Sequence, residues 1–154
     1  LKLKESLEYS STYSTKLKNW NQSTEYCGWR GVSCTVDGAV VGLDLSNEYI
    51  SRGLEDATSL LGFTSLQSLD LSYNSFAKQT IPSSIFRLTS LKYLNLASTN
   101  LTGPINESLS HLRFLEELHL ESNFFFTPIP HFFANFTSIK ILFLRDSFWI
   151  GKFP

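Results

Sequence analysis

Pairs of leucines separated by one residue recur along the chain at Leu43/Leu45, Leu69/Leu71, Leu94/Leu96, Leu118/Leu120 and Leu142/Leu144. Their first members are 26, 25, 24 and 24 residues apart. Another apolar residue stands three positions before each later pair (Leu66, Leu91, Leu115, Ile139). A further one follows five positions after each second leucine: Ile50, Phe76, Leu101, Phe125 and Trp149. Two positions before that residue the chain holds Glu48, Asn74, Thr99, Asn123 or Ser147. Then come Ile81-Pro82, Ile105-Asn106, Ile129-Pro130 and Phe153-Pro154. Even the joins repeat, as Phe63-Thr64-Ser65-Leu66, Leu88-Thr89-Ser90-Leu91 and Phe136-Thr137-Ser138-Ile139.

Leu-x-Leu predicts a short strand whose leucines face inward, because side chains alternate across a strand. One strand per copy buries nothing by itself, so successive copies must stack in parallel into a solenoid. The Asn position falls where the chain leaves the strand. A buried amide there satisfies backbone groups of adjacent turns, and Thr or Ser does part of that work with a hydroxyl. Glu48 is expected to point outward, since a carboxylate is a poor substitute in a dry interior. The Ile-Pro step breaks any long helix on the return path, which predicts short 3₁₀-like or extended pieces on the convex side.

The pattern L-x-x-L-x-x-L-x-L-x-x-N-x-L-x-G-x-I-P, from about Val40 to Pro154, resembles the plant-specific extracellular class of leucine-rich repeats. Asn106 and Thr127 depart from it at a Pro and a Gly position. The resemblance implies an α/β repeat fold, a right-handed superhelix with a parallel sheet on its concave face. Residues 1–39 read as an N-terminal cap and 40–154 as about five repeats, the last incomplete. In the cap, Leu3 and Leu7 predict a short amphipathic helix, and Lys16–Trp20 a second helical turn. Trp20-Asn21 followed by Cys27-Gly28-Trp29-Arg30-Gly31-Val32-Ser33-Cys34 resembles the cap of plant receptor-like proteins and receptor kinases, W-N…C-C-x-W-x-G-V-x-C. Tyr26 stands where that motif has its first Cys, and the upstream Cys that would pair with it is absent too. The resemblance therefore implies a helical, disulfide-bonded cap closed by Cys27 and Cys34, in an oxidising compartment. Spacing alone is equally that of two free thiols. Two thiols without a nearby His pair do not make a zinc site.

Composition narrows the function. Thirteen Lys and Arg against fourteen Asp and Glu leave a net charge of −1, which excludes the basic field of a nucleic-acid binder. No apolar run reaches the length of about 18 residues that spans a membrane, and no signal peptide is visible. Methionine is absent, as expected of a chain that begins inside a longer gene product. Asn21, Asn100, Asn106 and Asn135 each open an N-x-S/T sequon. The composition predicts about two by chance, so the four agree with secretion as glycosylation sites. Asn106 is the most persuasive, because it displaces a proline at an exposed turn.

Catalytic chemistry finds no footing. His111 and His131 belong to the return path and His119 to the strand face, so they do not converge, and no phosphate loop or cofactor motif occurs. Glu116, Glu117 and Glu121 share one strand. Lys92 and Lys140 fall in the column of Glu116, and Arg145 in that of Glu121, about 4.8 Å away on adjacent strands; exposed cross-strand pairing explains them. The outward strand positions remain, with Tyr73, Tyr93, His119, Glu121, Phe143 and Arg145 as the residues of a recognition face. The alternative is that this stretch is scaffold and the ligand sits farther along. Phe143, Trp149, Ile150 and Phe153 near the carboxy-terminal end predict an exposed apolar cross-section that further repeats would cover.

The resemblance implies the ligand-binding region of a plant cell-surface receptor-like protein or kinase, acting in defence or peptide perception. Its partners would be a protein or peptide ligand and a co-receptor kinase, with the full chain membrane-anchored at the outer face of the plasma membrane. The rival is a secreted inhibitor resembling the polygalacturonase-inhibiting proteins, which share the cap and repeat. The fuller gene separates the two readings.

Overall fold

A computed structural model describes residues 1–55, 58–76 and 78–150. The chain runs through α1 (Lys2–Ser6), β1 (Glu8–Tyr9), β2 (Val32–Cys34), β3 (Val40–Asp44), β4 (Ile50–Arg52), β5 (Ser68–Asp70), β6 (Tyr93–Asn95), β7 (Glu117–His119) and β8 (Ile141–Phe143). The first leucine of each pair lies in a strand and the second follows it. Strands β3, β5, β6, β7 and β8 are parallel neighbours in one sheet, with Leu43, Leu69, Leu94, Leu118 and Leu142 side by side. Return paths carry 3₁₀ turns at Thr58–Gly62, Ile85–Arg87, Glu107–His111 and His131–Asn135. Phe153-Pro154 lies outside the described residues.

The leucines of the first four pairs are at most 2% exposed. Leu142 and Leu144, expected to be equally buried, are only half-buried, because β8 has a sheet neighbour on one side alone among the described residues. A sixth strand was not foreseen: β2 pairs antiparallel with β3, so the sheet crosses the boundary expected near residue 40. Gly31 makes this approach possible. Its φ is +87, and a Cβ there would stand 2.3 Å from the carbonyl oxygen of Asp44, a contact no side chain tolerates.

The cap buries Leu3, Leu7, Leu17 and Trp20 on the first repeat. Trp20 stacks on Trp29 at 5.1 Å and donates its indole N–H to the carbonyl of Arg30. Cys27 and Cys34 are joined, with Cα atoms 5.7 Å apart. Closing so short a loop contributes about 2–3 kcal/mol in the chain-entropy account. Strand β1 pairs with β4 on the flank and Lys16 reaches Asp44 at 2.6 Å, so polar contacts add to the apolar packing between the cap and the first repeat.

The Asn position behaves as a ladder. Asn123 donates to the carbonyls of Leu96, Leu120 and Glu121 and accepts from the N–H groups of Thr99 and Leu101. Asn74 does the same two levels earlier, accepting from Glu48 and Ile50 and donating to Leu45 and Leu71. Each amide thus reaches back to the preceding repeat. Glu48 overturns the sequence expectation, for it is wholly buried. Its carboxylate accepts from the N–H groups of Thr15, Lys16 and Leu17 and the hydroxyls of Thr15 and Ser14. The reason is positional. What precedes the first repeat is the start of a 3₁₀ turn (Leu17–Asn19), which offers donors only. A carboxylate accepts with both oxygens, whereas an amide would turn its NH₂ towards other N–H groups.

The concave face as candidate binding site

Strand alternation sends every second side chain to the concave surface, and the in-register pairing lines those side chains up across the sheet. One row reads Gly42, Ser68, Tyr93, Glu117 and Ile141; the next reads Asp44, Asp70, Asn95, His119 and Phe143. Both follow the columns expected from the repeat.

His119 is the centre of this surface. Its ring lies 4.7 Å from that of Phe143, stacked, and 5.5 Å from that of Tyr93, tilted. Its Nε2 is 2.7 Å from Glu117 and its Nδ1 3.3 Å from Glu121. Only Tyr93, His119, Phe143 and Glu121 of the six candidate residues come together. Tyr73 is 66% exposed at the strand exit, in a left-handed conformation with φ 56. Arg145 was expected to pair with Glu121 across the strands, but its guanidinium lies 3.6 Å from Asp146 instead. Glu121, two residues past β7, has turned to His119, and its Oε2 is buried without a partner.

A second polar group flanks the first. Asn95 donates to Asp70 at 3.1 Å and to the Tyr93 hydroxyl at 3.0 Å, while Tyr93 donates to Asp70 at 3.4 Å. Burial raises the Tyr93 hydroxyl above its ordinary value; the nearby Asp70 and Glu117 carboxylates add to this and the Asn95 bond opposes it. Asp70 also receives the backbone N–H and the hydroxyl of Ser72, which is 3% exposed. Lys140 and Glu116 pair at 2.5 Å on the same face, as their shared column predicts. The Lys140 ammonium, donating to Glu116, holds that carboxyl below the usual glutamate range. The Asp70–Asn95–Tyr93 cluster was missed in the sequence, where only the column of Asp70 and Asn95 hinted at it.

His111 ends one convex 3₁₀ turn and His131 begins another, both away from His119. Among the described residues no group of three or more His, Cys, Asp and Glu could hold a metal ion. No described helix is long and apolar enough to cross a membrane. The four sequon asparagines are all exposed and none occupies a concave strand position. Asn21 lies in the cap, Asn100 on the flank, Asn106 at the N-cap of Glu107–His111, and Asn135 at the end of His131–Asn135.

Residues 1–35 match the leucine-rich-repeat N-terminal domain family, and residues 64–125 match a leucine-rich-repeat family. Receptor-like protein 6 of Arabidopsis thaliana is 37% identical over 114 residues, 73% of this chain. The chain spans only 12% of that relative's length. Among solved structures, the BIR2 ectodomain from Arabidopsis thaliana superposes with a TM-score of 0.84 at 29% identity, covering 99% of this chain and 80% of that one. The Arabidopsis receptor kinase HAESA, solved with the peptide hormone IDA and the co-receptor SERK1, gives a TM-score of 0.68 at 28% identity, over 97% of this chain and 29% of that one.

Proposed function

Because this chain belongs to the leucine-rich-repeat family of plant receptor-like proteins, we propose that it is part of the extracellular ligand-binding region of a cell-surface receptor. It acts in defence or peptide perception, binds a peptide or protein ligand and signals with a co-receptor kinase, and the whole protein is anchored at the outer face of the plasma membrane. One observation carries the reading: the concave sheet presents aromatic and charged side chains in register, and every sequon points elsewhere. Glycans at those four positions would leave the face open while covering the cap, flank and convex side. The preformed sheet binds with little change of shape. The related solved receptor, crystallised with a peptide hormone and a co-receptor, supports a peptide ligand. The inhibitor alternative is not favoured, since the relatives reported above include a receptor-like protein and a receptor kinase and no polygalacturonase inhibitor.

The test is saturable binding of the secreted protein to fractionated peptide pools from plant and microbial culture filtrates. Phe143→Asp on the concave face is expected to abolish binding, and His131→Ala on the convex side to leave it unchanged. Binding kept by both variants, or inhibition of a polygalacturonase by the protein, would go against the reading. Glycosylation is checked separately. Enzymatic deglycosylation and peptide mass mapping of the protein secreted from plant cells should find glycans at Asn21, Asn100, Asn106 and Asn135. Asn106→Gln should remove one of them without changing the thermal midpoint, because Asn106 is exposed and caps only a short turn.

A further inference from the structure

We infer that the concave face from β5 to β8 takes a cationic side chain of the ligand, an arginine in preference to a lysine; this rests on the peptide-binding reading above. Strands β5, β6 and β7 and the residues that follow them present Asp70, Glu117 and Glu121 against a single basic group, His119. Of the nearby cations, Lys16 is committed to Asp44, Lys140 to Glu116 and Arg145 to Asp146, and Lys92, just before β6, acts on Glu116. Two carboxylates therefore share one imidazole, and the two contacts are unequal, 2.7 Å to Glu117 and 3.3 Å to Glu121. Glu121 is the less satisfied. Its second oxygen is shielded from water and meets no donor, a cost that is relieved when the side chain, 19% exposed, turns outward to a ligand donor.

The aromatic row is an independent pointer to the same ligand. Tyr93, His119 and Phe143 run across three adjacent strands with ring separations of 5.5 and 4.7 Å, and Phe143 is 40% exposed. The small side chains Ser72 and Ala97 precede Glu121 in its column. A guanidinium lies flat on such rings while its edge donates to carboxylates, whereas an ammonium is a hydrated point charge without a flat face. The face thus combines a π surface, unneutralised negative charge and a hydrogen-bond acceptor without a donor.

The test is selection of a random eight-residue peptide library, displayed on phage, against the intact secreted protein. Enriched peptides are expected to carry Arg at one fixed position. Replacing that Arg by citrulline, which keeps the shape and removes the charge, should weaken binding about tenfold or more, as loss of a desolvated cation–π contact requires. This comparison leaves the protein untouched and so does not depend on any variant folding. In a second arm, Glu117→Gln with Glu121→Gln should erase the difference between Arg and citrulline peptides, while His131→Ala preserves it. Enriched peptides without a cation, or an unchanged affinity for citrulline, would overturn this inference and leave the receptor reading standing. Failure to enrich any peptide would count against both.

Discussion

Replacing Glu48 by alanine is expected to cost about 3–5 kcal/mol, the range seen when one partner of a buried charged network is removed. The magnitude follows from what is left behind. The N–H groups of Thr15, Lys16 and Leu17 and the Ser14 hydroxyl lose their acceptor together, and Ser14 and Leu17 are themselves wholly buried. Glu48→Gln should recover part of the loss, since its carbonyl oxygen still accepts while its NH₂ faces other donors. The loss should also depend on acid. Burial pushes the Glu48 carboxyl up, but the hydrogen bonds from Ser14, Leu17, Lys16 and Thr15 outweigh it and hold it below its ordinary value. A carboxyl depressed in the folded state stabilises fully above its unfolded pKa of about 4.3 and progressively less as pH falls through the folded value. Thermal midpoints measured from pH 7 downward should therefore converge for the wild type and Glu48→Ala at acid pH. Parallel curves over the whole range would show that Glu48 acts through packing alone.

Leu94→Ala, in the middle of the stack, should cost about 2–5 kcal/mol, the range for a leucine deleted where the surroundings relax little. Leu94 is 0% exposed and its neighbours Leu69 and Leu118 press from both sides. Leu142→Ala should cost less than half as much, because that side chain is only half-buried and already touches water. Ser72→Ala should cost about 0.5–1.5 kcal/mol, the net worth of its hydrogen bond to Asp70. Chemical denaturation of the three variants ranks them. Equal losses for Leu94 and Leu142 would mean that the burial gradient along the solenoid has no energetic counterpart.

The repeat itself was legible because a period of 24 residues constrains many positions at once. Leucine pairs, amide position and joins all recur with it, so the strand register and the concave columns follow from the sequence. Lys140 beside Glu116, or His119 beside Phe143, needed no further information. The disulfide was legible for another reason: the cap motif arrived whole apart from one missing bridge. What failed were positions whose surroundings are not repeats. Glu48 was misread because the pattern describes a neighbour like itself, while its true neighbour is the cap, and only the folded chain shows that this neighbour presents N–H groups.

Arg145 and Glu121 mark the same boundary at the level of side chains. Their shared column brought the backbones together, but each long side chain has several rotamers and several partners within reach, and the differences among them are small in a hydrated surface. Sequence by itself determined which residues stand side by side on this face, since backbone register depends on a hydrophobic pattern that costs several kcal/mol to violate. Only the tertiary structure decided which of those neighbours bond to one another, that Glu121 is left with an oxygen lacking a donor, and that the cap's free N–H groups find a carboxylate, because these choices depend on local geometry that no periodic pattern encodes.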